Sequence, residues 1–403
     1  MAKICIIGFG CVGSGTYEII KKNCRSIARR SGEEIEVKYI VDIRDFSSHE
    51  ESHLFTTDFD KVLNDEEVSI VVETMGGTGP AYDYTKSALE NGKNVVTSNK
   101  ELVAIKGDEL FAIAKAHGVK YFYEASVGGG IPIIRPMITS LSPNEINEIT
   151  GILNGTTNYI LTKMFKESTS FEEALKTAQE LGYAERNPAA DVEGHDTCKK
   201  ISILSSMVIG KKVNYEDVHT EGITNITYKD TKYAEKLDCS IKLLGRFRHA
   251  GGSYEAVVAP MLVENSNPLA GVEDVFNGIF VNGDMLGDAM FYGRGAGKLP
   301  TASAVTADII EIVKTPAAEF SIPWQPCSEK VIKDYEDIKS SFMVRIKTSD
   351  KHKTLSDVNS VFGTADALDL FDDEIAFTTG IMAVKELSCK LSQFDVLNTF
   401  MIL

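Results

Sequence analysis

The chain has 403 residues, 43% of them hydrophobic, and a formal net charge of -16 at pH 7. This is long enough for two or three domains. The acidic balance, with no long basic run, excludes nucleic acid and anionic membrane surfaces as expected partners. No stretch is apolar enough to cross a bilayer, and residues 1–7 resemble a first strand rather than a signal peptide.

The first third of the chain alternates between strand and helix patterns. Strands are predicted at 3–7, 35–41, 68–73, 94–97 and 120–124, and helices at 12–28, 81–91 and 107–117. Such alternation is typical of a parallel sheet wound with helices on both faces. The sequence therefore predicts an α/β protein in which residues 1–135 form a Rossmann-type, dinucleotide-binding domain.

The pattern changes after residue 136. Strands are predicted at 148–153, 254–262 and 278–283, and helices at 170–181, 198–209 and 228–236. This mixture indicates an inserted α+β domain over 136–300. A helix at about 301–318 is predicted to return and complete the first domain.

The last segment, 335–403, forms a third predicted domain. Its elements are a strand at 341–346, a helix at 355–362, strands at 367–370 and 374–378, a helix at 382–391 and a strand at 396–403. The order βαββαβ predicts a ferredoxin-like module.

Gly8, Gly10 and Gly13 lie between the first predicted strand and the first helix. In a dinucleotide-binding turn the first glycine allows the tight turn, the second leaves room for the pyrophosphate, and the third lets helix and strand pack closely. The helix N-terminus also offers N–H donors and a positive dipole end to phosphates. The three glycines therefore predict a dinucleotide site, with a plain tight turn as the alternative.

The second predicted strand ends close to Asp42, Arg44 and Asp45. An acid at this place binds a ribose 2′-hydroxyl and favours NAD, whereas an arginine accepts a 2′-phosphate and favours NADP. Both residue types are present, so the cofactor stays open, with a lean to NADP through Arg44. Lys100 follows a later strand, where it is a candidate to lie between nicotinamide and substrate or a simple helix-start lysine.

Residues 181–200 combine a carboxylate-rich loop with the start of a helix. Asp196 and Lys200 stand four residues apart, so they share one helix face. A lysine beside carboxylates can hold a charged small substrate and exchange a proton with it. The alternative is a solvent-exposed ion pair, which contributes little stability.

Together these motifs resemble the homoserine dehydrogenases over residues 1–325. The matching segments are 8–13, 97–100, 124–132, 151–159, 181–200, 293–297 and 300–305. The resemblance implies reversible, NAD(P)-dependent interconversion of L-homoserine and L-aspartate 4-semialdehyde, in threonine and methionine biosynthesis. It also implies a homodimer or higher homo-oligomer built through the 136–300 domain.

The same resemblance implies roles for individual residues. Lys200 is the implied proton donor and acceptor, and Lys100 is a second cation at the reacting oxygen, where positive charge stabilises the negative charge that develops. The implied substrate-binding residues are Glu185, Asp191, Asp196, Tyr183, Gly155 and Thr156. The implied cofactor-binding residues are Gly8, Phe9, Gly10, Val12, Gly13, Arg44, Thr74, Lys100 and Gly295.

Two further loops resemble parts of the family. Residues 124–131 resemble a sodium-binding loop, in which one carboxylate and several backbone carbonyls hold the cation. The positions carried over are Glu124, Val127, Gly129 and Ile131, and a glycine-rich crossover between domains is the alternative. In the turn 154–158, Thr156 and Asn158 are predicted to cap the next helix.

Residues 341–403 resemble the ACT-type regulatory domains of many bacterial homoserine dehydrogenases. Such modules pair and bind an amino acid, often threonine. Their Asp-x-Pro-Gly turn is absent, because residues 348–355 contain no glycine that would let the backbone approach an effector. A threonine sensor and a degenerate module with dimer contacts alone both stay open.

Two rival functions fit the sequence less well. An aldehyde-oxidising dehydrogenase needs a nucleophilic cysteine facing the nicotinamide, but the comparable turn holds Asn154, and Cys198 falls in a predicted helix. A non-catalytic nucleotide sensor would lack the lysine and carboxylate set. The seven scattered cysteines contain no CxxC pair and predict neither a zinc site nor disulfides. The sequence therefore favours a cytoplasmic dehydrogenase.

Overall fold

A computed structural model describes residues 1–315, 323–363 and 367–403. The strands are β1 Ala2–Ile7, β2 Ile35–Val41, β3 Phe55–Thr56, β4 Val68–Glu73, β5 Asn94–Thr97, β6 Tyr121–Phe122, β7 Ile146–Ile152, β8 His219–Thr220, β9 Cys239–Ala250, β10 Ser253–Glu264, β11 Phe276–Gly283, β12 Gly287–Arg294, β13 Lys339–Lys347, β14 Ala367–Leu368, β15 Glu374–Thr378, β16 Met382–Ala383 and β17 Val396–Ile402.

The helices of the same ranges are α1 Cys11–Lys22, α2 Cys24–Ser31, α3 Asp60–Leu63, α4 Gly79–Glu90, α5 Lys100–Ala116, α6 Ile134–Ile138, α7 Gly155–Glu167, α8 Phe171–Glu180, α9 Ala189–Val192, α10 His195–Ile209, α11 Tyr228–Lys236, α12 Lys298–Lys314, α13 Lys351–Phe362 and α14 Val384–Leu391. The chain divides into two compact units. Unit 1 contains Met1–Glu145, Ser202–Asn214 and Gly293–Glu329, and unit 2 contains Ile146–Ile201, Tyr215–Tyr292 and Lys330–Leu403. The predicted boundaries near 135, 300 and 335 stay predictions.

Unit 1 is built on a six-stranded sheet in the order β3-β2-β1-β4-β5-β6. All its strand pairs are parallel, which confirms the predicted Rossmann-type sheet. Strands of such a sheet are apolar along their length because crossover helices cover both faces. Ile4, Ile6 and Ile70 are accordingly buried in one core with Val305 and Ile309 of α12.

The single helix predicted at 12–28 is wrong. Asn23 interrupts it, with φ -103° and ψ 15°, and separates α1 from α2. Asparagine is a poor helix former, and here its N–H donates to Ile19 O at the end of α1. Helix α12 packs on α1, where a Cβ at Gly15 would lie 2.8 Å from Lys298 O. Residues 316–318 of the helix predicted at 301–318 lie outside the described residues.

Unit 2 is built on a second, mostly antiparallel sheet. Its strands follow the order β12-β11-β7-β9-β10-β17-β13-β15-β14, with β8 on β10 and β16 on β13. Strand β17 lies parallel to β10, pairing Met401 with Met261, and antiparallel to β13. The C-terminal segment therefore continues the sheet of the preceding α+β region.

The C-terminal segment has the predicted βαββαβ order, in which β17, β13, β15 and β14 are antiparallel neighbours. The helix predicted at 382–391 begins only at Val384, because Met382 and Ala383 pair with β13 as the short strand β16. Val344 and Ile346 of β13 share one core with Val358 of α13 and Leu387 of α14. Two helices thus cover one face of this part of the sheet.

Among the described helices, none has both the length and the apolar character needed to cross a membrane. All seven cysteines are free thiols. Cys5, Cys198 and Cys239 are buried, whereas Cys11, Cys24 and Cys389 are exposed, so only part of this set belongs to the core.

Candidate active site

The glycine turn of unit 1 has the geometry that its sequence predicts. Gly8 has φ +86°, in the left-handed region that favours glycine. A Cβ at Gly13 would lie 2.0 Å from Gly8 O, so helix α1 packs directly on the turn, whereas a Cβ at Gly10 would meet nothing within 4 Å. Helix α1 has no side-chain cap and no acidic residue in its first turn. These features fit a bound pyrophosphate.

Asp42 and Arg44 interact with each other beside this turn. The Asp42 carboxylate accepts a hydrogen bond from Phe9 N at 2.7 Å, and from Arg44 Nε at 2.9 Å and Arg44 Nη2 at 2.7 Å. The Arg44 guanidinium holds the pKa of the Asp42 carboxyl well below its usual range. Arg44 is therefore tied to a carboxylate while its side chain stays exposed, and its role toward the cofactor stays a prediction.

Residues at the ends of β4 and β5 lie near the glycine turn. The Thr74 hydroxyl donates to Gly8 O at 2.7 Å and so holds the glycine turn. Glu73 is fully buried, and its carboxylate accepts from Met75 N at 2.7 Å and from Thr97 Oγ1 at 2.5 Å. Burial raises the pKa of Glu73 to about 7. Sequence reasoning missed Glu73, although a carboxylate ending an apolar parallel strand was the available signal.

Lys100 is the first residue of α5. It follows the N-cap residue Asn99, whose Oδ1 accepts from Leu102 N at 3.1 Å and whose Nδ2 donates to Gly77 O at 2.7 Å. Helix α5 begins at Lys100, earlier than the helix predicted at 107–117. The alternative of a helix-start lysine therefore describes its position, and its catalytic role stays a prediction.

The loop proposed to bind sodium uses its carboxylate differently from the prediction. Glu124 accepts hydrogen bonds from the backbone N–H groups of Ile133, Ile134 and Arg135 at 2.7, 2.9 and 2.7 Å, and so caps α6. Burial raises the pKa of Glu124. Among the described residues no group of three or more His, Cys, Asp or Glu side chains is arranged to hold a metal. The Glu124 carboxylate thus caps α6, and its role as a cation ligand stays a prediction.

Gly129 and Gly295 meet in unit 1. Gly129 has φ +56°, and a Cβ on it would lie 2.2 Å from Gly295 O. Gly130 N donates to Arg294 O at 3.1 Å. The loop 127–131, which includes the backbone of Val127 and Ile131, is thus fixed against the segment 293–297.

The lysine of the 181–200 segment is buried in unit 2. On α10, Lys200 Nζ donates to Asp196 Oδ2 at 2.7 Å and to Leu153 O at 2.7 Å. The side chains of Lys200 and Asp196 are only 10% and 5% exposed. A solvent-exposed ion pair is therefore excluded, because both charges have been withdrawn from water, which is costly without a compensating partner.

Asn154 joins this ion pair to a second carboxylate. Its Nδ2 donates to Asp191 Oδ1 at 2.7 Å and to Asp196 Oδ2 at 2.8 Å. Its Oδ1 accepts from Thr157 N at 2.9 Å, so Asn154 is the N-cap of α7. The predicted capping by Thr156 and Asn158 is wrong, and sequence reasoning gave Asn154 no role in holding the carboxylates.

The other predicted substrate residues lie around the start of α7. The Thr156 hydroxyl donates to Tyr183 O at 2.6 Å, which links the 154–158 turn to the acidic loop. A Cβ at Gly155 would lie 2.7 Å from Val275 O, so a side chain does not fit there. Glu185 is exposed on the loop after α8, and its backbone carbonyl accepts from Gln179 Nε2. The hydrogen bonds that join Lys200, Asp196, Asn154 and Asp191 do not include Glu185.

Comparisons with known proteins show the family of the chain. Residues 8–124 match the profile of the homoserine dehydrogenase NAD binding domain, and residues 132–310 match the homoserine dehydrogenase profile. The homoserine dehydrogenase of Neisseria gonorrhoeae is 40% identical over 88% of this chain and 83% of its own.

Solved structures extend the likeness to the fold. A homoserine dehydrogenase from Thiobacillus denitrificans has a TM-score of 0.93 at 34% identity, covering 100% of this chain and 98% of that one. A hyperthermophilic archaeal homoserine dehydrogenase in complex with NADPH has a TM-score of 0.65 at 28% identity, covering 77% and 97%. The chain therefore belongs to the homoserine dehydrogenase family of oxidoreductases.

Proposed function

We propose that Lys200 exchanges the proton with the substrate oxygen when L-homoserine and L-aspartate 4-semialdehyde are interconverted. One observation carries this assignment: a buried ammonium group is joined through Asp196 and Asn154 to Asp191. An adjacent carboxylate favours the charged form of a lysine. In its ammonium form, Lys200 can donate a proton to the aldehyde oxygen during reduction.

The carboxylates of Asp191 and Asp196 are proposed to bind the substrate. Asp191 and Asp196 bring two carboxylates close to Lys200, and carboxylates are the groups that would meet the ammonium group of an amino-acid substrate. Lys200 stabilises negative charge on the oxygen as the neighbouring carbon changes oxidation state. In the reverse direction, Lys200 must first lose its proton before it accepts one from the hydroxyl.

The nicotinamide cofactor supplies the chemistry of accepting or giving a hydride. The residues of unit 1 that would hold it are Gly8, Gly10 and Gly13 with the N-terminus of α1, together with Phe9, Val12 and Thr74 of the same turn. The absence of a Cβ at Gly10 and of acidic residues in the first turn of α1 supports this placement. Absorbance of the reduced cofactor, followed with L-homoserine and each nicotinamide in turn, tests the activity; no change with either would contradict it.

We further propose that Arg44 sets a preference for NADP. The Arg44 side chain is 56% exposed although it is bonded to Asp42, so it can meet a 2′-phosphate. The related archaeal enzyme was solved with NADPH. Asp42, which would repel that phosphate, is partly neutralised by the same guanidinium.

Replacing Arg44 by alanine is expected to lower kcat/KM for NADPH by about 10- to 100-fold, the value of one or two charge-assisted hydrogen bonds. The value for NADH should change little. Asp45→Ala, in the same exposed loop, is the matched control. Steady-state rates with both cofactors decide the matter, and an equal loss for NADH and NADPH would remove the phosphate assignment.

A monovalent cation is proposed for the loop 127–131, bound through the carbonyl oxygens of Val127, Gly129 and Ile131. Hard cations of this kind take oxygen ligands. The loop is held in a fixed conformation by Gly295 and Arg294, which supports a preformed site. Activity and unfolding temperature that are equal in sodium and in a bulky organic cation would contradict this proposal.

The C-terminal segment is proposed to be an ACT-type module that binds threonine. A cleft of about 300 Å³ lies between the β13–α13 turn and the α14–β17 turn. It is lined by Thr348, Asp350 and Asp395, among others, and Asp350 caps α13 through Lys353 N at 3.0 Å. Inhibition by millimolar threonine supports the sensor, whereas unchanged rates and no heat of binding leave a module that makes only dimer contacts.

A homodimer built through the 136–300 region in the cytoplasm is proposed from the family resemblance. Sedimentation of the purified chain measures the oligomeric state directly. A monomer at micromolar concentration would contradict it.

A further inference from the structure

The amide of Asn154 uses every hydrogen-bonding group that it has. An asparagine side chain offers two N–H donors and one carbonyl acceptor. One donor meets Asp191 and the other meets Asp196, while the carbonyl accepts from Thr157 N. The side chain is 6% exposed. One residue therefore caps α7 and connects two carboxylates that belong to α9 and α10.

The amide of Asn154 reduces the repulsion between the Asp191 and Asp196 carboxylates. Two carboxylates held close together repel each other, and one of them tends to take up a proton unless donors stabilise both. A neutral amide separates Asp191 from Asp196 by hydrogen bonds and adds no charge of its own. A lysine or arginine in its place would cancel the negative charge that the substrate's ammonium group needs.

The cap gives the amide a fixed direction. Because Oδ1 is held by Thr157 N at the start of α7, Nδ2 must point to the opposite side, toward Asp191 and Asp196. Asp196 in turn holds Lys200 Nζ at 2.7 Å. The orientation of α7 is thereby transmitted through one side chain to the ammonium group.

We infer that Asn154 is a positioning residue for the reaction, which acts by holding Asp191 and Asp196 in place around Lys200. The inference rests on the proposed role of Lys200. A misplacement of about 1 Å at a reacting group costs on the order of 10²-fold in rate, so loss of this bridge should be visible in turnover.

Two substitutions separate positioning from capping. Asn154→Ser keeps an acceptor for the helix cap but cannot bridge both carboxylates. It should lower kcat with homoserine by about 10- to 100-fold, raise KM for homoserine and leave cofactor KM nearly unchanged. The unfolding temperature should fall, because two hydrogen bonds to carboxylates are lost. Ser170→Ala, which removes the cap of α8, is the control and should leave kcat and both KM values as they are.

Asn154→Asp gives the second readout. It keeps the cap but replaces the donor by a third carboxylate, so activity should fall further. Part of the activity should return as the pH is lowered, because a protonated aspartic acid donates one hydrogen bond. The ratio of the variant's kcat/KM to that of the wild type should therefore rise at acid pH, which a purely structural role does not produce.

The outcomes are distinct. Wild-type kcat and KM in Asn154→Ser would overturn the inference. If that variant fails to fold, a pH-independent ratio for Asn154→Asp overturns it instead. If a Lys200 substitution leaves turnover intact, the proposed function of Lys200 is wrong. If that substitution abolishes turnover while both Asn154 variants behave as wild type, only the positioning role of Asn154 is wrong.

Discussion

Replacing Lys200 by methionine is expected to lower turnover with homoserine by about 10²- to 10⁴-fold, the range of general acid–base catalysis. Methionine has a similar length and no proton to exchange. The glycine turn that is proposed to hold the cofactor belongs to unit 1, whereas Lys200 belongs to unit 2. The dissociation constant of the reduced cofactor, measured by its fluorescence, should therefore stay close to the wild-type value.

The test needs a stability control. Removing Lys200 leaves Asp196 buried without its cation, a change that costs about 3–5 kcal/mol in comparable cases. The double variant Lys200→Met, Asp196→Asn removes the stranded charge and should recover much of the lost stability without recovering turnover. Lys199→Met changes the adjacent and less buried position of α10. Its turnover and its stability should both be close to those of the wild type. A folded Lys200→Met enzyme with near-full turnover would refute the assignment.

Gly13→Ala and Gly10→Ala are expected to damage the enzyme in different ways. At Gly13 the new methyl group would lie 2.0 Å from Gly8 O and 2.8 Å from Thr74 Oγ1. Since backbone cannot move aside cheaply, this overpacking should cost about 1–3 kcal/mol of folding free energy, or more. It should also disrupt the turn and abolish cofactor binding.

At Gly10 the methyl group meets no protein atom within 4 Å, and φ is -80°, which alanine adopts readily. The unfolding temperature should therefore stay within about 2 °C of wild type, because a surface change of this kind is worth less than about 0.5 kcal/mol. Cofactor KM should nevertheless rise at least about 10-fold, because the space belongs to the pyrophosphate. Thermal unfolding without cofactor, paired with cofactor titration, separates the two variants. An unaltered cofactor KM in Gly10→Ala would contradict the placement of the pyrophosphate at Gly10.

The features that sequence predicted well are those determined by local periodicity. Alternation of apolar strands with helices predicted the parallel sheet, and the four-residue spacing placed Asp196 and Lys200 on one helix face. The break at Asn23 was missed because apolar periodicity continues across it, and only the backbone reveals the turn.

The features that sequence reasoning missed depend on contacts between distant segments. The bond from Asn154 to Asp191 joins residues 37 positions apart, and that from Asn154 to Asp196 joins residues 42 apart. The hydrogen bond from Lys200 Nζ to Leu153 O likewise joins residues 47 positions apart. The sequence likewise did not reveal that the fold brings three backbone donors of the following segment to the Glu124 carboxylate.

The pairing of β17 with β10 bears on how this protein is made. Met261 and Leu262 of β10 pair with residues 401 and 402, so this part of the β10 flank, beyond the two residues that pair with β8, has no partner strand until β17 has been translated. Exposed strand flanks of this sort invite pairing with other chains. Ribosomes that stall within the C-terminal segment should therefore yield nascent chains that aggregate or recruit chaperones, even though the glycine turn and the Lys200 cluster have already been synthesised.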